Sequence, residues 1–123
     1  MREKGRILVV EPNDLILGLL ERWLGEAGYT VSVAASLRLL EIGGEPPHLI
    51  IIDVPTPRGA ETMIGSVRET FSSPIMLLSA TFRRGTSSSG RAARQLGVRK
   101  ILAKPFTREE VLSAVGESIG MDD

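Results

Sequence analysis

Five short runs rich in Val, Ile and Leu recur along the chain, and the gaps between them carry helical patterns. This alternation constrains the fold more than any other feature. The runs are RILVV (6–10), TVSVA (30–34), LIIID (49–53), PIMLLS (74–79) and KILA (100–103). The first, third and fourth are almost unbroken in apolar residues, as strands buried on both faces of a parallel sheet require. Between them, residues 14–27 place Ile16, Leu20, Trp23, Leu24 and Ala27 on one helical stripe, with Gly28 where a C-cap belongs. SLRLLEIGG (36–44) opens on an N-cap serine and ends in two glycines. AETMIGSVRETF (60–71) predicts a third helix and SSGRAARQLG (88–97) a shorter fourth. TREEVLSAVGESI (107–119) opens with a capping box, Thr107 and Glu110, and predicts the last. The small polar stretch RRGTSSSGR (83–91) reads as a mobile loop; it lacks the G-x-x-x-x-G-K-[ST] pattern of a phosphate-binding loop.

Strict alternation of strand and helix calls for right-handed crossovers. The expected fold is therefore α/β: a doubly wound five-stranded parallel sheet, flavodoxin-like order 2-1-3-4-5, with helices on both faces. The 123 residues, 42% of them apolar, suit a single domain over 1–123. Fifteen basic residues balance 15 acidic ones, which argues against direct nucleic-acid binding by the domain as a whole. No cysteine, no signal peptide and no membrane-length apolar run give the expectation of a cytoplasmic chain with no membrane partner.

Ligands of such sheets bind beyond the carboxyl ends of the strands. There the sequence places Glu11 after the first strand, Asp53 closing the third, Ser79 closing the fourth and Lys104 just after the fifth. Any one of them alone reads as ordinary surface; four at four of five strand ends do not. Two neighbouring carboxylates make a site for a hard cation such as Mg²⁺, and an aspartate can take up a phosphoryl group as an aspartyl phosphate. That transfer relies on charge neutralisation by metal and lysine more than on an acid–base pair. The lone His48, before the third strand at the opposite edge, reads as structural.

Over its whole length the sequence resembles a response-regulator receiver domain. The resemblance rests on ILVVE at the first strand, LIIIDVPTP with Pro57 four residues after Asp53, and Ser79–Ala80. Gly97 seven residues before Lys104, and KPF (104–106), complete it. It implies Asp53 as the phosphoacceptor, with Glu11 and the carbonyl of Pro55 joining Asp53 as metal ligands. It also implies that Ser79 bonds a phosphoryl oxygen, that Lys104 pairs with it, and that the Lys104–Pro105 peptide is cis. By the same resemblance the chain is not an enzyme but a phosphoacceptor of two-component signalling. Its donor would be a histidine kinase or phosphotransfer protein. The alternative is a pseudo-receiver, a phosphorylation-independent interaction module.

Two departures from the family and one charge asymmetry matter. Pro12 stands where the family has a second acid, so Mg²⁺ is expected to be held weakly, and Asp14 is expected in the first helical turn instead. Ile101 replaces a switching Tyr or Phe three residues before Lys104, so signalling is expected to pass through residues 83–91 and the helix after them. Arg83, Arg84, Arg91, Arg94, Arg99 and Lys100 form an acid-free stretch from Arg83 to Lys100. The rest of the chain carries nine cations against 15 acids, which points to an acidic protein partner at that face. Two enzyme classes fit poorly. A flavodoxin needs a small polar phosphate loop where EPND stands, and a haloacid-dehalogenase-type phosphatase needs an acid where Pro55 stands.

Overall fold

The computed structural model describes residues 4–36, 46–55, 57–80 and 87–120. In chain order these form β1 (Arg6–Val10), α1 (Asp14–Glu26), β2 (Thr30–Ala34), β3 (Leu49–Asp53) and α2 (Pro57–Thr70). They continue with β4 (Ile75–Ser79), α3 (Ser87–Leu96), β5 (Lys100–Ala103) and α4 (Arg108–Gly120). The strands form one sheet in the order β2-β1-β3-β4-β5, and every neighbouring pair is parallel. The expected strand order and the wholly parallel pairing are both present.

The two-residue period of a strand divides the apolar runs between two cores. Ile7, Val9, Leu49, Ile51, Met76 and Leu78 pack with Leu20 and Leu24 of α1 and with Val111 and Val115 of α4. Leu8, Val10, Ile50, Ile52, Ile75 and Leu77 pack on the other face with Ala60, Ile64 and Val67 of α2 and Ala93 of α3. Both faces are thus covered, which explains why β3 and β4 tolerate no polar residue before their last position. Truncating Ile51, which is fully buried, to alanine would cost about 2–5 kcal/mol.

Local signals set the helix ends. Asn13 caps α1, its Oδ1 accepting the backbone N–H groups of Leu15 and Ile16 at 3.0 and 3.1 Å. Gly28, at φ +106°, turns the chain out of α1 toward β2. The capping box of α4 forms as expected: Thr107 N–H donates to Glu110 Oε1 at 2.8 Å, and Glu110 N–H donates to Thr107 Oγ1 at 3.1 Å. His48 accepts the backbone N–H of Arg6 on its Nδ1 at 2.8 Å, a structural role at the sheet edge away from the acids.

Two expectations about the elements change. α2 begins at Pro57 rather than residue 60, because proline's fixed φ and missing N–H suit the first helical position. The stretch 83–91 is not a loop throughout: residues from Ser87 onward already belong to α3. Serines weaken a helix little in its first turn, so the amphipathic pattern ending at Leu96 extends back through them. The helix expected over 36–44 and the start of the polar stretch, residues 83–86, lie outside the described residues.

Candidate functional site

The strand register decides which polar ends meet. Val10 pairs with Ile52 and Asp53 with Leu78, so Glu11 and Asp53 leave neighbouring strands at the same level. Ser79 pairs with Ala103, and Lys104 follows at once, its backbone N–H donating to the Ser79 carbonyl at 2.9 Å. The Lys104–Pro105 peptide is cis. All four sequence-predicted strand-end residues therefore come together on one edge of the sheet.

Lys104 ties the edge together. Its Nζ donates to Glu11 Oε1 at 2.7 Å and to Asp53 Oδ1 at 2.6 Å. Glu11 is wholly buried, whereas the Asp53 side chain keeps 12% of its surface and Lys104 16%. Two carboxylates reaching one ammonium at charge-assisted distance, mostly out of water, make a far stronger arrangement than a surface ion pair. Burial alone would push the Lys104 ammonium down. The hydrogen bonds to Asp53 and Glu11, with their charges, outweigh it and hold Lys104 above the ordinary lysine value. Ser79 is fully buried beside this group at the end of β4.

Asn13 went unnoticed as a site residue in the sequence. Its backbone N–H donates to Glu11 Oε2 at 3.0 Å while its side chain caps α1. The readable signal was an N-cap residue just before an apolar-periodic stretch; the bond back to Glu11 is visible only in the structure. Asp14 is exposed in the first turn of α1, as expected.

Residues 7–116 match the family described as "Response regulator receiver domain". The chain belongs to the response-regulator receiver domain family. It is 34% identical over 113 residues to the uncharacterized transcriptional regulatory protein YrkP of Bacillus subtilis, covering 89% of this chain and 47% of that protein. It is 33% identical over 106 residues to the regulator of RpoS of Escherichia coli, covering 81% of this chain and 30% of that protein. The chain thus spans less than half the length of these curated relatives. Among solved structures, the orphan response regulator HP1043 of H. pylori superposes with a TM-score of 0.74 at 22% identity, covering 97% of this chain and 99% of that one. A response regulator from Thermotoga maritima gives 0.71 at 22%, covering 94% and 97%. At these identities the superpositions speak for the fold alone.

Receiver domains bind Mg²⁺ at an acidic pocket, and the donor set here is chemically suited to it. Glu11 and Asp53 offer hard carboxylate oxygens on one edge, and Pro55, exposed two residues past Asp53, keeps its carbonyl. The set is also thin. Among the described residues no group of three or more His, Cys, Asp or Glu gathers for a metal, and Pro12 is exposed with no donor in its side chain. Glu11 and Asp53, with the Pro55 carbonyl, would hold the ion in competition with Lys104.

The remaining sequence candidates separate. Ile101 is half-buried against the α2–α3 core and carries no hydroxyl. On the basic stretch, Arg99 Nη1 donates to the Ser118 carbonyl at 3.2 Å, and Lys100 forms an ion pair with Glu117. That pair, with the hydrogen bond from Lys100 as its larger part, holds the Glu117 carboxyl below its ordinary value. Arg91 and Arg94 stand exposed on α3. Arg83 and Arg84 lie outside the described residues. Among the described residues no helix is long and apolar enough to cross a membrane.

Proposed function

We propose that this receiver domain accepts a phosphoryl group on Asp53 from a histidine kinase or phosphotransfer protein of a two-component system. One observation carries the reading: the Lys104 ammonium bridges Asp53 and Glu11 at the strand ends, next to buried Ser79. An Asp53 carboxylate oxygen attacks phosphorus, the P–N bond to the donor imidazole breaks, and its electron pair stays on the ring nitrogen. Asp53 is the most accessible of the two acids and so the one a donor can reach. Lys104, already on Asp53, is positioned to follow the incoming charge onto a phosphoryl oxygen, and Ser79 to donate to another. Mg²⁺, which Glu11, Asp53 and the Pro55 carbonyl would hold, would supply further charge neutralisation when bound. The domain acts as an acceptor rather than as an enzyme. Leu15, 74% exposed on the first turn of α1 close to the Glu11 turn, offers an apolar contact for a phosphodonor protein. Arg91 and Arg94 offer a basic contact for an acidic partner. Reversing both charges should weaken such a partner most at low salt.

Pro12 favours a second reading, a phosphorylation-independent interaction module, because Lys104 already neutralises both acids and no second acid recruits the metal. Intact mass after incubation with acetyl phosphate, with and without Mg²⁺, distinguishes the two. One phosphoryl group added to the wild type and none to Asp53→Asn supports transfer to Asp53. No addition at any Mg²⁺ concentration selects the interaction module.

A further inference from the structure

A chain of hydrogen bonds runs from Asp53 to the start of α1, and two backbone anchors hold it. Lys104 is anchored by its N–H, which donates to the Ser79 carbonyl at 2.9 Å. Glu11 is anchored by its own, which donates to the Ala34 carbonyl at 3.0 Å and continues the pairing of β1 with β2. Between the anchors, Lys104 Nζ divides itself between Asp53 Oδ1 at 2.6 Å and Glu11 Oε1 at 2.7 Å. Beyond them, Glu11 Oε2 accepts the backbone N–H of Asn13 at 3.0 Å. Asn13 is the joint with the helix: its Oδ1 accepts the N–H groups of Leu15 and Ile16, and its carbonyl accepts that of Leu17 at 2.9 Å. Its N–H, its carbonyl and its side-chain oxygen are thus all committed, either to Glu11 or to α1. Leu15, 74% exposed, stands on that same turn.

The balance at Lys104 sets how strongly Glu11 holds Asn13. Glu11 is wholly buried, so water does not replace an ammonium that moves away from it. An unphosphorylated Asp53 offers Lys104 one negative charge, as Glu11 does. A phosphoryl group on Asp53 offers roughly two, and Coulomb attraction grows in proportion. The ammonium then shifts its share toward Asp53. Glu11, losing its counter-charge, becomes the stronger acceptor for the Asn13 N–H. Taking the charge off Asp53 moves the share the other way. The path leads to the sheet face opposite Ile101, which packs with α2 and α3.

We infer that Asn13 couples the charge on Asp53 to the first turn of α1, so that the turn carrying Leu15 takes one form before phosphoryl transfer and another after it. The before-and-after part rests on Asp53 being the phosphoacceptor; the coupling path does not. A phosphodonor docked on this turn before transfer therefore meets a changed surface once its phosphoryl group has left. Coupling of this kind is reciprocal. A partner that docks at Leu15 and prefers one form of the turn shifts the phosphoryl balance at Asp53 by the same factor.

The test is amide NMR of the full chain at one fixed Mg²⁺ concentration. It compares the wild type, Asp53→Asn, and wild type treated with acetyl phosphate, with intact mass taken from the same tube. The Asn13 amide proton should move upfield in Asp53→Asn and downfield on phosphorylation, with Leu15 and Ile16 moving in step. The capping box of α4 is the field control in the same spectra, since the N–H groups of Thr107 and Glu110 are bonded to each other's side chains. Their amides should move less than that of Asn13. In Glu11→Gln, an uncharged acceptor on the path, the Asn13 displacements should fall by about half or more. An unmoved Asn13 amide in Asp53→Asn, displacements of one sign, equal movement at Thr107 and Glu110, or undiminished movement in folded Glu11→Gln would each overturn the inference. A mass without added phosphoryl overturns acceptance at Asp53 and the before-and-after part with it, while Asp53→Asn still decides the coupling.

Discussion

Asn13 donates its backbone N–H to Glu11 Oε2 at 3.0 Å while Lys104 holds the other oxygen of the same carboxylate at 2.7 Å. Glu11 is thus gripped from both sides, and the turn that grips it is also the cap of α1. Asn13→Ala keeps the backbone bond but removes the side-chain cap. The expected loss is about 1 kcal/mol, within the 0.5–2 kcal/mol usual for N-caps, read as a lower urea midpoint at unchanged m-value. Asn13→Asp should restore it. A loss by Asp equal to that of Ala would show that the cap is not what position 13 contributes.

Lys104→Met removes the cation from between two acids, one of them fully buried. Breaking a buried pair this way costs about 3–5 kcal/mol, and adding Glu11→Gln should recover part of it. A loss under about 1 kcal/mol would mark the bridge as an ordinary surface pair. The pH dependence carries a sign. Lys104 lies above the ordinary lysine value of 10.5, so its contribution is fully present below that value and is lost as pH rises through the higher folded-state value. The stability gap between wild type and Lys104→Met should hold from neutrality to the ordinary lysine value and close only above it.

Gly97 and Gly65 should respond in opposite directions to the same substitution. Gly97 has φ +74°, and a Cβ there would stand 3.4 Å from two nitrogens of Arg68. Gly97→Ala should therefore cost about 1–2 kcal/mol, from the left-handed backbone alone, since 3.4 Å to the mobile end of Arg68 is ordinary contact. Gly65→Ala meets open space inside α2 and should gain up to about 1 kcal/mol. Chemical denaturation of the two variants side by side checks both. Equal effects of one sign would mean that the backbone at 97 relaxes freely.

The parts of this fold that repeat with a short period were legible in advance. Buried strands announce themselves by unbroken apolar runs, and polar residues at strand ends fall on one edge once the strands are parallel. Glu11, Asp53, Ser79 and Lys104 could be named for that reason. What escaped depends on contacts between distant segments. Nothing near Arg68 in sequence says that it reaches Gly97, 29 residues on. Nothing near Lys104 says that it holds two acids rather than one. Residues 88–91 fit both the polar loop read over 83–91 and the helix expected over 88–97; growth of α3 from its apolar stripe decides for the helix and adds Ser87 to it.

Pro12 is the position on which phosphorylation at Asp53 turns. Magnesium gives up its water reluctantly and depends on carboxylate charge, and here Glu11 already has both oxygens engaged. The free domain should therefore bind Mg²⁺ weakly. An incoming phosphoryl group brings negative charge that draws Lys104 away from the acids, so transfer should be slow rather than absent. Pro12 is exposed, so an aspartate fits there without displacing core atoms. Pro12→Asp adds the missing charge, and its freed φ lets the turn adjust toward the pocket. The expected outcome is at least tenfold tighter Mg²⁺ binding by calorimetry and faster labelling of Asp53 by acetyl phosphate, with Pro12→Asn matching the wild type. If Pro12→Asp neither tightens Mg²⁺ nor yields label in a protein whose wild type takes none, the strand-end acids serve the Lys104 bridge alone, and the domain signals by contact.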